Sequence, residues 1–550
     1  MAPKAQPLPG TCRLVAALLA LCASPRGAAG GGPPQPSATT TGGPVLGLLT
    51  ANGGAAFLGV PFAQNPPVRW GPPRPPTGWT APLNATAYGS GCVAFAPRPR
   101  GAARSGAPPP TSGAQAEDCL TVNVWVPPTR ALGAPMLVWI HGGGFVGGDA
   151  SGDFQLLSSA TGAVVVSVNY RLGALGFLAL DGMAASFPTP DAPDAACANV
   201  GLLDQQLALA WASANARNFG SDPAHVLIMG ESAGGSSILI QLTLPGSYAF
   251  YRAALAQSPG SPVNDLAQGR ATAAAIAARL GCPAGAPGGF SAQLACLRAA
   301  PADTVVAAAV AVAGTNDLPL TLGPVADGAL VTASPAVKML AGDFNRDASV
   351  LVSQCLFEGD SLLDGFTHSV TINATVAQAA LEQLGVSVGF NASETASVGE
   401  AYAPIAARDG LFNGSSRIWG DGLIVCATRW ASRGAAAFST HPVHRFLFNT
   451  TIGGETAGRA THGTDLAVIF GGASPPVARA FWAWLTNAAV TGDVNMGPAN
   501  ASTAWPAYTT AAGGGGGGAG ILVANEHGDF SVLDAWQEEL CDGLWLPILP

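Results

Sequence analysis

The stretch that decides the fold is His225-Val-Leu-Ile-Met-Gly-Glu-Ser-Ala-Gly234. Its apolar half predicts a short buried strand, and residues 236–244 predict an apolar helix. Between them, Gly230-Glu-Ser-Ala-Gly234 fits the pattern G-x-S-x-G, in which small residues allow a sharp turn that lifts the serine hydroxyl above a sheet. The positive end of the following helix points at the same place. Ser232 is therefore the candidate nucleophile.

Other short apolar runs outside this stretch also predict strands. They lie at residues 135–140, 163–168, 349–353 and 443–448. Continuous apolar strands that alternate with helical segments indicate an α/β protein with a mostly parallel central sheet covered by helices on both faces. Sheets of this kind place their functional sites in the loops that follow the carboxyl ends of the strands.

Three consecutive glycines, in His141-Gly-Gly-Gly144, follow the predicted strand at residues 135–140. A serine that attacks an ester creates an oxyanion, and each backbone N–H donor that binds it is worth about 2.7–4 kcal/mol. We assign these donors to Gly143, Gly144 and Ala233. The alternative is a flexible loop without such a role. It is less attractive because two parts of one site occur in the required order.

Composition excludes some functions. Only 10% of the 550 residues are charged, against a usual share of roughly 25%, and the formal net charge is −9. A chain this acidic has no electrostatic reason to bind nucleic acid. The cysteines and histidines do not have the spacing of a zinc site. We therefore predict no nucleic-acid partner, no metal and no cofactor.

The N-terminus has the layout of a secretory signal peptide, with Lys4 and Arg13 ahead of an apolar run and small residues up to Gly30. That run is too short to span a bilayer, and a buried N-terminal helix is the alternative. No later stretch predicts a membrane span. The predicted divisions are a signal peptide at 1–30, a flexible lead-in at 31–45, and one large catalytic domain at 46–550 with a glycine-rich insertion near 511–520.

The cysteines and the glycosylation sequons are typical of a protein that passes through the secretory pathway. Ten cysteines are present, and Cys12 and Cys22 would leave with the signal peptide. Asn-x-Ser/Thr sequons begin at Asn84, Asn373, Asn391, Asn413, Asn449 and Asn500. The sequence therefore predicts a glycosylated protein that is secreted or resides in the lumen of the secretory pathway.

Six motifs in order resemble those of the type-B carboxylesterase and cholinesterase family. They are Phe57-Leu-Gly-Val-Pro-Phe-Ala63, Glu117-Asp-Cys-Leu-Thr-Val-Asn123, His141-Gly-Gly-Gly-Phe145, Asn169-Tyr-Arg-Leu-Gly173, Asn199-Val-Gly-Leu-Leu-Asp-Gln205 and Gly230-Glu-Ser-Ala-Gly-Gly235. The resemblance covers most of the chain after the predicted signal peptide. It implies an α/β-hydrolase fold and a serine carboxylic-ester hydrolase that forms an acyl-enzyme on a small-molecule or lipid ester.

The resemblance also implies the partners of the serine. Thr461-His-Gly-Thr-Asp-Leu466 resembles the family's catalytic-histidine segment, so His462 is the expected base and Asp465 a supporting acid. Phe357-Glu-Gly359 resembles the family's acid segment, so Glu358 is the expected acid, with Asp360 as its closest rival. The order serine, acid, histidine is that of this fold.

Cysteine and charge pairings are implied by the same resemblance. The expected disulfides are Cys92–Cys119, Cys282–Cys296 and Cys426–Cys541. The expected structural ion pairs are Arg69–Glu117 and Arg171–Asp204. Whether the remaining Cys197 and Cys355 pair with each other stays open.

The substrate pocket is expected to include Glu231, Leu318 and Leu320. Cholinesterases bind choline on a tryptophan between the first two bridged cysteines, through cation–π attraction. Residues 93–118 contain no tryptophan or tyrosine, and Phe95 is their one aromatic residue. We therefore expect uncharged esters rather than choline esters, with a lipase as a closely related variant.

The rival class of function is a catalytically silent, cholinesterase-like adhesion or binding protein. Such relatives usually lose the serine or another member of the triad. All three expected members are present in this chain, which favours the enzyme.

Overall fold

The structure is a computed structural model, and it describes most of the chain. The described residues are 35–95, 114–129, 132–183, 196–260, 263–285, 287–313, 320–367, 371–450, 459–471, 475–509, 519–525, 529–533 and 540–545. The predicted signal peptide at 1–30 and most of the predicted insertion near 511–520 lie outside the described residues.

Sixteen strands occur among the described residues. They are β1 Ser37–Thr39, β2 Pro44–Leu46, β3 Leu48–Leu49, β4 Ala55–Pro61, β5 Leu83–Asn84, β6 Gly91–Cys92, β7 Gln115–Ala116, β8 Thr121–Val126, β9 Ala134–Ile140, β10 Val164–Val168, β11 Ser221–Glu231, β12 Ala253–Gln257, β13 Ser349–Cys355, β14 His444–Phe448, β15 Ile521–Ala524 and β16 Phe530–Leu533.

Fifteen α-helices occur in the same part of the chain. They are α1 Gln155–Thr161, α2 Gly173–Phe177, α3 Val200–Asn215, α4 Ala233–Leu242, α5 Leu266–Arg279, α6 Gly289–Ala299, α7 Ala302–Ala313, α8 Pro335–Leu340, α9 Glu358–Thr367, α10 Ala374–Val388, α11 Ala392–Asp409, α12 Leu411–Gly420, α13 Cys426–Phe438, α14 Leu466–Phe470 and α15 Pro475–Thr491.

Eleven of these strands form one central sheet, in the order β16-β15-β14-β13-β12-β11-β9-β10-β8-β4-β3. The seven strands from β15 to β10 run parallel. Antiparallel strands complete both edges, with β16 on one side and β8, β4 and β3 on the other. The predicted mostly parallel sheet is confirmed.

Helices cover both faces of this sheet. Because side chains alternate along a strand, Ile228 faces one apolar cluster with Leu239 of α4, whereas Leu227 faces another with Trp484 of α15. Both faces of β11 are thus buried, which explains why the strand has a continuous apolar sequence. The predicted α/β class, with helices on both faces, is confirmed.

The boundaries around the serine differ from the prediction. Strand β11 continues to Glu231, and α4 begins at Ala233 rather than at residue 236. The small residues Ala233, Gly234 and Gly235 therefore form the first turn of the helix. Alanine and glycine contribute little apolar surface, so the apolar pattern placed the start of the helix too late.

The flexible lead-in predicted for residues 31–45 is wrong for its second half. Strands β1 and β2 pair as an antiparallel hairpin, and Val45 is fully buried. A Cβ atom on Gly42 would lie 2.4 Å from the ring of Trp79, so the glycine is required by close packing. The segment is rich in glycine, proline, serine and threonine, which suggested flexibility. Its composition could not reveal the packing against Trp79, which is distant in sequence.

Among the described residues, no single helix has the length and apolarity to cross a membrane. The bent pair α6 and α7 passes that test together, by length and composition only.

Candidate active site

Ser232 lies on a strained turn between β11 and α4. Its backbone adopts φ 57° and ψ −123°, a conformation that non-glycine residues rarely occupy. Its N–H donates to the carbonyl oxygen of Gln257 at 3.0 Å. A Cβ atom on Gly234 would lie 2.1 Å from the carbonyl oxygen of Ile140, so only glycine allows this close approach between helix and strand. The local sequence thus produces the turn predicted from the motif.

His462 contacts both the serine and an acid. Its Nε2 lies 2.8 Å from the Oγ of Ser232, and its Nδ1 lies 2.6 Å from Oε2 of Glu358. The segment that carries it is held by Thr464, whose Oγ1 accepts a hydrogen bond from the N–H of Thr461. The imidazole can therefore accept a proton on one nitrogen while the other donates to a carboxylate.

Glu358 is the acid that the structure brings to His462. It is the first residue of α9, separated by two residues from the end of β13 at Cys355, and it is 2% exposed. Its second oxygen, Oε1, accepts hydrogen bonds from the hydroxyl of Ser258 at 2.7 Å and from the N–H of Cys355. These donors fix the carboxylate with one oxygen free for the imidazole.

Asp360, the rival acid, lies elsewhere. Its carboxylate accepts a hydrogen bond from Ser416 of α12 and forms an ion pair with Arg459 at 3.0 Å. It contributes to packing of α9 rather than to the contact with His462.

Asp465 is buried beneath the site at the start of α14. Its Oδ2 accepts a hydrogen bond from the side-chain amide of Gln257 at 3.0 Å. Burial raises the pKa of Asp465, and the nearby charge of Glu358 adds to the shift. The structure thus places Asp465 beneath the site, and its role as a supporting acid stays a prediction.

The glycine loop lies against the serine. A Cβ atom on Gly142 would lie 3.0 Å from the Cβ of Ser232. His141 stacks on the ring of Tyr170 with 4.4 Å between centroids, and the Tyr170 hydroxyl donates to the His141 carbonyl. These contacts brace the start of the loop.

The expected oxyanion donors have free N–H groups. No backbone or side-chain hydrogen bond between described residues uses the N–H of Gly143 or Gly144. Ala233 is the first residue of α4, where an N–H has no partner within the helix. The three N–H groups are therefore available to bind an oxyanion.

Glu231 precedes the serine and is almost fully buried. Its Oε1 lies 3.4 Å from Nε2 of His462. Burial raises the pKa of Glu231, and the positive charge of His462 opposes that shift. Of the other expected pocket residues, Leu318 lies outside the described residues. Leu320 begins the short helix Leu320–Leu322, and only the backbone of Leu320 is described.

Buried carboxylates surround His462. Burial lowers the pKa of His462, but the charges of Glu231, Glu358 and Asp465 together raise it above the ordinary value of 6.5. These groups are close enough to titrate together rather than independently.

Sequence reasoning missed Gln257 and Ser258. Gln257 is the last residue of strand β12, and Ser258 follows it. The strand sequence Ala253-Ala-Leu-Ala-Gln257 holds one bulky apolar residue and so gives a weak strand signal. The available clue to these two residues was the short apolar run at residues 253–256, which ends directly before them.

The structure joins cysteines in the pairs Cys92–Cys119, Cys282–Cys296 and Cys426–Cys541. Cys197 and Cys355 are both free and buried, which answers the open question about their pairing. Arg171 pairs with Asp204 at 2.7 Å, and Arg69 pairs with Glu117. Within the described ranges, no group of three or more metal-ligating side chains could hold a metal ion.

A mostly parallel sheet that presents a serine, an acid and a histidine in this chain order defines an α/β-hydrolase. The sequence model of the carboxylesterase family matches residues 34–514. The chain belongs to the carboxylesterase family, which confirms the resemblance found in the sequence motifs.

Curated relatives agree with this family. The chain is 40% identical over 318 residues to an acetylcholinesterase of Gallus gallus, which covers 55% of this chain and 40% of that protein. It is 36% identical over 326 residues to an acetylcholinesterase of Electrophorus electricus, covering 56% and 48%. It is 29% identical over 462 residues to a fumonisin B1 esterase of Sphingopyxis macrogoltabida, covering 82% and 78%. The match thus spans less than half the length of both acetylcholinesterases.

Proposed function

We propose that the protein is a secreted serine carboxylic-ester hydrolase that works through an acyl-enzyme. The observation that carries the proposal is the chain of two short hydrogen bonds from Ser232 through His462 to Glu358. A hydroxyl, an imidazole and a carboxylate in this arrangement form an activated nucleophile.

In the first half of the reaction, the Oγ of Ser232 attacks the ester carbonyl carbon while Nε2 of His462 takes the hydroxyl proton. The N–H groups of Gly143, Gly144 and Ala233 bind the oxyanion that results. Collapse of this intermediate breaks the bond to the alcohol, which leaves with the proton from His462. Glu358 holds the imidazolium in orientation throughout.

In the second half, a water molecule attacks the acyl-enzyme as His462 takes one of its protons. The tetrahedral intermediate collapses, the carboxylic acid leaves, and the proton returns to Ser232. Each half of the cycle uses the same base and the same oxyanion donors, so one site serves both steps.

The proposed substrates are uncharged esters. The names of two relatives point to acetylcholine, but residues 93–118 lack the tryptophan or tyrosine on which a quaternary ammonium would bind. Phe95, the one aromatic residue of that segment, is half-buried against an apolar cluster that includes Trp70, Leu175 and Ile276.

Three disulfides support a location in the secretory pathway or outside the cell, because such bonds persist in oxidising compartments. The signal-like sequence at residues 1–30 and the six sequons support the same proposal for secretion and glycosylation.

A matched ester pair tests activity and substrate class together. Butyrylthiocholine and its uncharged analogue, 3,3-dimethylbutyl thiobutyrate, have the same shape and differ in the charge of one atom. We expect the protein to hydrolyse both, with kcat/KM for the uncharged ester at least equal to that for the choline ester.

Two outcomes would contradict the proposal. If the protein hydrolyses none of the four esters, namely the two thioesters, p-nitrophenyl acetate and p-nitrophenyl butyrate, the proposed esterase activity is contradicted. A preference of tenfold or more for the choline ester, which corresponds to about 1.4 kcal/mol, would indicate a cation-binding pocket and contradict the substrate class.

A further inference from the structure

We propose that Gln257 is a positioning residue that holds the Ser232 turn through its carbonyl oxygen and the His462 segment through its side-chain amide. This inference rests on the proposed esterase function.

The backbone contact acts on the nucleophile. Gln257 is the last residue of β12 and has no exposed surface. It pairs in register with Glu231, the residue before the serine. Its carbonyl oxygen accepts a hydrogen bond at 3.0 Å from the N–H of Ser232, whose backbone is strained. Strand β12 therefore fixes the turn from the neighbouring position in the sheet.

The side-chain contact acts on the base. Nε2 of Gln257 donates to Oδ2 of Asp465 at 3.0 Å, and Asp465 follows His462 by three residues. The hydroxyl of Ser353 lies farther from the same oxygen, at 3.5 Å. Asp465 is 1% exposed and forms no ion pair with an arginine or lysine among the described residues. The thiol of Cys355 also hydrogen-bonds to Asp465, but it lowers the pKa of that carboxyl less than the amide does. The amide is therefore a principal donor to a buried carboxylate, and loss of this hydrogen bond would be costly.

The next residue, Ser258, reaches the third member of the site. Its hydroxyl donates to Oε1 of Glu358, and its N–H donates to the carbonyl of Ser353. Gln257 and Ser258 together contact the loops that carry Ser232, Glu358 and His462. One end of β12 thus links three segments that are far apart in sequence.

The amide also affects the charge near His462. The groups that face this region are Glu231 at the end of β11, Glu358 at the start of α9, the buried thiol of Cys355 on β13, and Asp465 itself. Burial raises the pKa of Asp465, and the hydrogen bond from Gln257 opposes that rise. Without the amide, Asp465 would hold its proton to higher pH. Asp465 would then carry less negative charge where the two groups titrate together, and the pKa of His462 would fall.

The test is Gln257→Met, which removes the amide while keeping the length of the side chain and the backbone carbonyl. We expect kcat for p-nitrophenyl butyrate to fall roughly 10- to 100-fold, because small misplacements of reacting groups carry penalties of this order. KM should stay within about twofold. The acid limb of kcat/KM should move to lower pH, which a purely structural role would not cause.

Gln293→Met is the matched control. Its amide is also buried and donates to the carbonyl of Cys282 at 3.0 Å. Gln293 lies on α6, whose Leu294 and Leu297 belong to the apolar cluster that includes Trp70. We expect this variant to keep the wild-type kcat and the wild-type acid limb.

A folded Gln257→Met protein with unchanged kcat and an unchanged acid limb would overturn the inference. If that variant does not fold, Asp465→Asn replaces it, since it removes the charge and keeps the side-chain shape. Its acid limb should also move to lower pH, and an unmoved limb would overturn the inference. Failure of the proposed function differs visibly, because the wild-type protein itself would then not hydrolyse the ester.

Discussion

At the scale of single residues, two acids in one helical turn have different environments. The Glu358 carboxylate accepts hydrogen bonds from Ser258, Cys355 and His462. The Asp360 carboxylate instead accepts a hydrogen bond from Ser416 and forms an ion pair with Arg459. The sequence favoured Glu358 but left Asp360 as a rival, because residues two apart in a chain can both lie near a loop. The distinction depends on contacts with α12 that local sequence does not encode.

This difference predicts unequal effects of two conservative substitutions. Glu358→Gln should lower kcat about 10⁴-fold, because an amide no longer stabilises the imidazolium or favours the correct tautomer. Asp360→Asn should keep kcat within a few-fold and mainly lower the melting temperature. Steady-state rates with p-nitrophenyl butyrate, together with thermal unfolding, measure both. Equal losses of kcat would contradict the assignment of the acid.

The buried carboxylates predict the direction of the pH dependence. His462 must be neutral to accept a proton, and the surrounding carboxylates raise its pKa above 6.5. Activity should therefore be lost as pH falls through a midpoint higher than 6.5. Measurement of kcat/KM from pH 5 to 9, corrected for spontaneous hydrolysis, gives this midpoint. A midpoint below 6.5, or a flat profile, would be inconsistent with His462 as the base in this environment.

At the scale of elements, the contact between α4 and β12 sets the position of the serine. A Cβ atom on Gly235 would lie 2.3 Å from the carbonyl oxygen of Gln257, a backbone atom that cannot easily move. The helix can approach the strand this closely only because residue 235 is glycine. The same carbonyl oxygen receives the N–H of Ser232, so helix packing and serine geometry are coupled.

Substitution at this contact should therefore affect both stability and rate. Gly235→Ala should destabilise the fold by about 1–3 kcal/mol through overpacking, and should also lower kcat. Gly365→Ala is the control, since this glycine lies in α9 with open space around its Cβ position. Alanine should stabilise that helix by about 0.5–1 kcal/mol. Chemical denaturation measures the two changes, and a neutral Gly235→Ala would refute the close contact.

At the scale of the whole molecule, the strands with bulky apolar residues were predictable, because a parallel sheet buries both faces of each strand. The runs that became β9, β10, β13 and β14 are of this kind. Strand β12 was missed because alanine gives little signal. The hairpin of β1 and β2 was missed because its order comes from Trp79, which is remote in sequence.

The candidate site was predictable in part, as the fold was. Motifs identify the residues that touch one another, since each motif needs particular residue types at fixed spacing. The link between Gln257 and Asp465 joins residues 208 positions apart, and no local pattern specifies such a contact. Sequence therefore indicated the reacting groups, whereas the structure was needed to find the side chains that hold them in place.

The central claim, that Ser232 is the nucleophile, has a direct measurement. Wild-type protein and Ser232→Ala are treated with an organophosphonate probe, and intact mass and ester turnover are recorded for each. The wild-type protein should gain a single adduct at Ser232 and lose activity. Ser232→Ala should gain none and show kcat lower by about 10⁶-fold. The buried serine variant Ser432→Ala should behave as wild type. An adduct and retained turnover in Ser232→Ala would contradict the account.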